Sequence, residues 1–342
     1  MKRIKLSYLV LALIVSAALF SCKKKSDDDT TSSYLSGSLK FNMPRYVGVG
    51  DVYNLTPSGV THPEGGKVGY YWVVSAYSLR DTVKTLTDPD TVSPSYELEI
   101  RDTLGTFTVT CGAYADGYYA SVASSTFTVV DPTLGGTLSN TGISAGDPSI
   151  SDSRDSAVDD ANVYYYTTVG GVDWFRNNLA YTGSGIPYED CPVMSHVFGR
   201  YYTWDEAMTA CPEGWHLPSL EEWKNLANSI STMAFDTYDK FTGIAGDMMV
   251  DARFNDYKMW EFWPAVKITD ATGLAMIPTG YATLTGASAD FSTIGDYAAF
   301  WTSDSVDDTS AWYRYINVNL PDVYLGSGDK SSFAASVRCV RD

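Results

Sequence analysis

A multidomain chain, an all-β sandwich followed by an α+β domain, is what this sequence predicts. Three observations carry the prediction. The 342 residues make up about two domains plus tails. Gly, Ser, Thr and Asp are plentiful, 25 Tyr and 9 Trp add aromatic weight, and long helical periodicity is scarce, which favours strands. Two capping boxes, Thr203 with Glu206 and Ser219 with Glu222, mark helix starts in the second half. In each, a hydroxyl and a carboxylate satisfy backbone N–H groups that a helix leaves unpaired.

Residues 1–21 have a basic start (Lys2, Arg3, Lys5) and an apolar run over 6–20. The run is short for a bilayer span and fits a cleaved export signal. It ends in Leu19-Phe20-Ser21-Cys22, which resembles the lipobox of bacterial lipoproteins, although Phe20 is bulkier than the residue usual there. The resemblance implies that Cys22 carries acyl chains and tethers the protein to a membrane without a transmembrane helix. Residues 22–36 read as a flexible tether. In it, Ser26-Asp27-Asp28-Asp29 follows three lysines, a pattern similar to the surface-export signal of Bacteroidota lipoproteins. An outer-membrane location facing the exterior is therefore expected.

Residues 37–131 contain runs of alternating or β-branched and aromatic residues at 39–43, 67–75, 95–100, 106–114 and 118–129, separated by turns such as Asp116-Gly117. Tyr71-Trp72-Val73-Val74 reads as a central strand whose tryptophan fills a sandwich core. The segment 105–117 resembles the late strand of an immunoglobulin-like or PKD-like domain. No cysteine lies between Cys22 and Cys111, so Cys111 is expected to be a free, buried, small apolar residue. Residues 132–160, rich in Gly, Ser, Thr and Asp, read as a linker. A hairpin is expected next, with 163–168 and 172–175 joined through Gly170-Gly171.

The densest stretch is 199–226. Its capping boxes predict helices over about 204–210 and 220–230, joined by a fixed turn holding Pro212, Gly214 and Pro218. Trp174 with Asn178-Leu179-Ala180-Tyr181, Gly199-Arg200-Tyr201-Tyr202-Thr203-Trp204, Cys211-Pro212-Glu213-Gly214-Trp215-His216-Leu217-Pro218, Phe300-Trp301-Thr302-Ser303 and Ser336-Val337-Arg338-Cys339 resemble the Fibrobacter succinogenes major paralogous domain family over 161–342. That resemblance implies a C-type-lectin-like domain related to formylglycine-generating enzymes, no established activity, and occurrence in surface lipoproteins. Many members carry two cysteines ahead of the Gly-Arg segment, where this chain has Cys191 alone. The implied topology sets the end of the first helix beside the last strand, so Cys211 and Cys339 are expected to pair and Cys191 to stay free. Cys191 with Cys211 is the alternative. The long closure would stabilise by about 4–5 kcal/mol in the chain-entropy account.

The net charge of -17 argues against nucleic acid as a partner, which needs clustered Lys and Arg. Among the three histidines, His216 is expected to be a buried structural imidazole, with no metal-site spacing around it. No cysteine pair is left over for redox or copper chemistry. The reading is therefore a non-enzyme with no cofactor and no metal. Ser303-Asp304 with Asp307-Asp308 offers hard oxygens, but a solvated acidic loop is the simpler account. Ring stacking on sugars is the binding chemistry left, with Tyr257, Trp260, Trp263 and Tyr281 as candidate ligand residues. The expected function is a surface-exposed, non-catalytic binding or adhesion module for glycan or a surface protein. The alternative is a structural part of a cell-surface assembly.

Overall fold

Period-two alternation along 105–130 builds two long strands, and the first half of the chain is assembled on them. The computed structural model describes residues 33–76, 83–86, 94–155, 163–260 and 266–342. Gly105–Tyr114 and Ser121–Val130 pair antiparallel, with Phe107 opposite Phe127. They are central in a five-stranded sheet whose order is Tyr46–Gly48, Ser121–Val130, Gly105–Tyr114, Gly69–Ala76, Val83–Leu86. Two ribbons lie over it, Ser36–Lys40 with Ser58–Thr61 and Val52–Leu55 with Tyr96–Glu99. Leu39, Leu55, Val60, Trp72, Leu98 and Phe127 fill the space between. Trp72 Nε1 donates to Pro94 O at 3.0 Å, so burying the ring leaves no polar atom stranded. Cys111 is free and buried as expected, and burial pushes its thiol up to about 12.

The described residues of the second half hold four short α-helices: α1 (Ser195–Phe198), α2 (Trp204–Ala210), α3 (Leu220–Ile230) and α4 (Ala245–Met248). Both expected starts hold. The Glu206 carboxylate accepts from Thr203 N at 2.8 Å, and Glu222 accepts from Ser219 N at 2.7 Å. Around the helices lie a five-stranded sheet (Phe235–Thr237, Lys240–Phe241, Val323–Asp329, Ser310–Asn317, Tyr297–Ser305), a four-stranded sheet (Ser149–Ser151, Val163–Val169, Val172–Phe175, Val340–Arg341) and two three-stranded sheets. The expected glycine hairpin is present, with Val169 opposite Val172.

The expected fold class, an immunoglobulin/PKD-like sandwich followed by an α+β C-type-lectin-like domain, is corrected by this architecture. Strands take 45% of the described residues and helices 12%, so both halves are multi-sheet β and no separate α+β lectin domain stands out. The reason is local. α2 stops at Cys211, whose extended backbone leads into Pro212, and α3 stops at extended Ser231. The remaining sequence, rich in Thr, Tyr, Val and Gly, has few helix formers to extend them.

The halves meet in a shared core. Val130, at the end of the last long strand of the first half, packs with Met194, Val250 and Ile277 of the second. Arg45 pairs with Glu189 at 2.7 Å, Tyr46 N donates to Cys191 Sγ at 3.4 Å, and Asn255 Nδ2 donates to Val129 O at 3.1 Å.

Candidate functional site

The C-terminal segment 338–340 ties several parts of the second half together. Cys339 is bonded to Cys211 at the end of α2, with Cα atoms 5.8 Å apart, and Cys191 is free and buried. The pairing implied by the resemblance is therefore the one present. One residue on, Val340 and His216 exchange backbone hydrogen bonds of 2.9 Å. The His216 ring differs from expectation. Its side chain is 48% exposed, and Nε2 lies 2.7 Å from Glu222 Oε1; the turn is held by the backbone of His216 rather than by a buried imidazole.

One residue before Cys339, Arg338 is fully buried. Its Nε donates to Asn178 Oδ1 at 2.6 Å, Nη1 to Leu274 O and Phe175 O, and Nη2 to Ala275 O. Burial pulls the guanidinium down to about 9, opposed by Asp270, so it stays charged at neutral pH. Asn178 Nδ2 in turn donates to Phe198 O at 2.8 Å. Arg176 reaches Gly273 O, Gly142 O and the Asp147 carboxylate. Burial pushes the Asp270 carboxyl up to about 6, against a hydrogen bond from Ala275 N and the two guanidiniums. These groups hold chain segments together. Residues 131–143 close over them and leave a cavity of about 410 Å³.

The three sequence-predicted ligand residues that are described fall in different places. Trp260 is wholly buried, with Nε1 donating to Met276 O at 3.3 Å; it is a core residue with no ring face for a ligand, which corrects its candidacy. Tyr257 is 80% exposed in a short hairpin. Trp263 and the lipidation candidate Cys22 lie outside the described residues. Tyr281 is partly buried and belongs to a larger aromatic face.

That face lies on the five-stranded sheet. Tyr297, Tyr315 and Tyr324 come from three adjacent strands and stack in series, at 4.8 Å and 20°, then 5.4 Å and 19°. Tyr313 stacks on Phe333 at 4.7 Å, and Tyr281 touches both Tyr297 and Phe333. All six rings are partly buried, and Trp301 lies wholly buried against Tyr313 and Phe333. Two glycines make room for them. A Cβ on Gly326 would sit 2.5 Å from the Tyr313 ring, and one on Gly328 would sit 2.6 Å from Phe333. Burial raises the Tyr297 and Tyr313 phenols, whose hydroxyls are hydrogen-bonded to each other. The face is therefore apolar ring with hydroxyl groups, bordered by the Lys240–Asp322 pair at 2.8 Å. Sequence reasoning missed Tyr297, Tyr313, Tyr315 and Tyr324. The usable signal was the alternation in Ala311-Trp-Tyr-Arg-Tyr-Ile-Asn317, which sets Tyr313 and Tyr315 on one side of a strand.

The acidic loop is spoken for. Asp304 Oδ2 accepts from Leu220 N at 2.6 Å, capping α3, and Asp307 Oδ1 accepts from Thr309 N and Ser310 N at 2.8 Å. Among the described residues no group of three or more His, Cys, Asp or Glu is placed to hold a metal, and no helix is long and apolar enough to cross a membrane.

Compared with known proteins, residues 167–341 match the family described as the Fibrobacter succinogenes major domain. No curated protein matches the chain.

Proposed function

The chain belongs to the Fibrobacter succinogenes major domain family, and on that premise we propose that it is a surface-exposed, outer-membrane lipoprotein acting as a non-catalytic binding module for glycan. The single observation that carries the binding reading is the tyrosine face. Six partly buried rings with hydroxyl groups among them present flat apolar surface beside hydrogen-bonding atoms, the combination that suits the faces and edges of pyranose rings. The glycine floor under Tyr313 and Phe333 supports it, because it fixes where those rings lie. The anchoring part rests on the lipobox-like Leu19-Phe20-Ser21-Cys22 and the acidic residues that follow.

A glycan-array screen of the mature chain tests the binding reading. Retention of at least one polysaccharide class is expected, and no retention across the array overturns it. The anchor is tested separately by Cys22→Ala in cells, which moves the protein out of the membrane fraction; unchanged fractionation refutes lipid attachment.

A further inference from the structure

The cavity under residues 131–143 takes no part in that reading. Its volume of about 410 Å³ falls in the range of small-molecule sites. Leu134, Leu138, Ile143, Val197 and Ile277 give it apolar walls, and Arg338 contributes a cation to its lining.

The hydrogen-bonding of Arg338 is incomplete in an informative way. The side chain is 1% exposed, and its four hydrogen bonds all go to neutral acceptors: three carbonyls and the Asn178 amide oxygen. A guanidinium carries five N–H groups, so one N–H of Nη2 has no acceptor among the described residues, and no carboxylate bonds to the group. The other lining cation, Arg176, is already paired with Asp147 at 2.6 Å. At the rim, the Asp131 carboxylate is taken by Thr133 N and Oγ1. A buried cation without a bonded counter-charge is unfavourable, and an anion brought to it inside apolar walls offsets that.

We infer that this cavity is a binding site for a small carboxylate with an apolar body. The carboxylate accepts the spare Arg338 N–H, and the body packs on Ile143, Val197 and Ile277. A monoanion fits better than a phosphate, because the spare N–H offers one hydrogen bond, Asp270 already acts on the guanidinium as a negative charge, and Asp131 adds another at the rim. The site is independent of the tyrosine face, so either one can fail without the other.

Calorimetric titration of the mature chain with benzoate and hexanoate, against benzamide and hexanol as neutral counterparts, tests it. One-to-one binding of at least one carboxylate is expected, at least ~10-fold tighter than its neutral counterpart. Ile277→Trp fills the cavity and should weaken that binding by at least ~10-fold with the circular dichroism spectrum unchanged. If that variant does not fold, Ile143→Phe at the partly buried wall serves in its place. The proposal is overturned if neither carboxylate binds, if the neutral counterparts bind equally well, or if binding survives unchanged in a folded cavity-filling variant.

Discussion

Asn178 Oδ1 accepts a 2.6 Å hydrogen bond from Arg338 Nε across 160 residues of sequence, with both side chains buried. The two stand in the segments Asn177-Asn178-Leu179 and Val337-Arg338-Cys339, so the bond ties the stretch that follows strand Val172–Phe175 to the stretch that precedes the closing strand Val340–Arg341. Asn178→Ala leaves the guanidinium short of an acceptor and frees Phe198 O as well. A loss of about 3 kcal/mol in urea unfolding is expected, and a loss under about 1 kcal/mol would show that the network does not hold these segments.

The Cys211–Cys339 bond closes a separation of 128 residues. Replacing both cysteines by alanine should lower stability by about 4 kcal/mol, chiefly by freeing the unfolded chain. Thiol titration gives a second check. Cys111 and Cys191 are free and buried, so both stay unreactive in the native protein and react on denaturation. Rapid labelling of Cys191 in the native state would contradict its placement at the joint between the halves.

Asp270 gives a pH dependence with a definite sign. Its carboxyl titrates near 6 when folded and near the usual value of about 3.9 when unfolded. Below that lower value both forms are protonated and nothing is lost. As pH rises through the interval, the unfolded chain releases its proton first, so the folded state loses stability, and above pH 6 the whole penalty stands. Asp270→Asn removes the penalty. Its stability relative to the parent protein should rise between pH 4 and pH 7 by about 1 kcal/mol, allowing for solvent screening of a partly exposed group. Thermal unfolding at the two pH values reads this directly, and a difference that stays flat across the interval refutes it.

Tyr315 sits between Tyr297 and Tyr324. Tyr315→Ala should weaken binding of any glycan found by the array by about 10-fold while leaving the core clusters folded. Gly326→Val drives a side chain into the Tyr313 ring and should have a similar effect by displacing the surface rather than deleting part of it. Unaltered affinity in both variants would move the binding surface elsewhere.

What could be read from the sequence was what is chemically local. The two capping boxes, the Gly170-Gly171 hairpin and the strand at Trp72 each depend on a few neighbouring residues, and each is found where expected. The cysteine pair came through the family resemblance, not through spacing. Trp260 and the tyrosine face were not legible, for one physical reason. Whether a ring points inward is set by which strands pair, and the face draws on residues from Tyr281 to Phe333 that converge only after the sheets form. The fold class failed although both helices end where expected, because the many short strands around them, which pair only in the folded chain, outweigh the helices. α2 runs for seven residues and α3 for eleven.

The joint at Val130 and Tyr46 has a mechanical consequence. Two modules strung on a loose linker would let the outer one swivel, and shear flow on a captured polymer would be absorbed as rotation. Here Val130 of the first half enters a core of the second, and an ion pair and hydrogen bonds between side chain and backbone bracket the crossing. Force applied to the second half is therefore carried through these contacts toward the five-stranded sheet of the first.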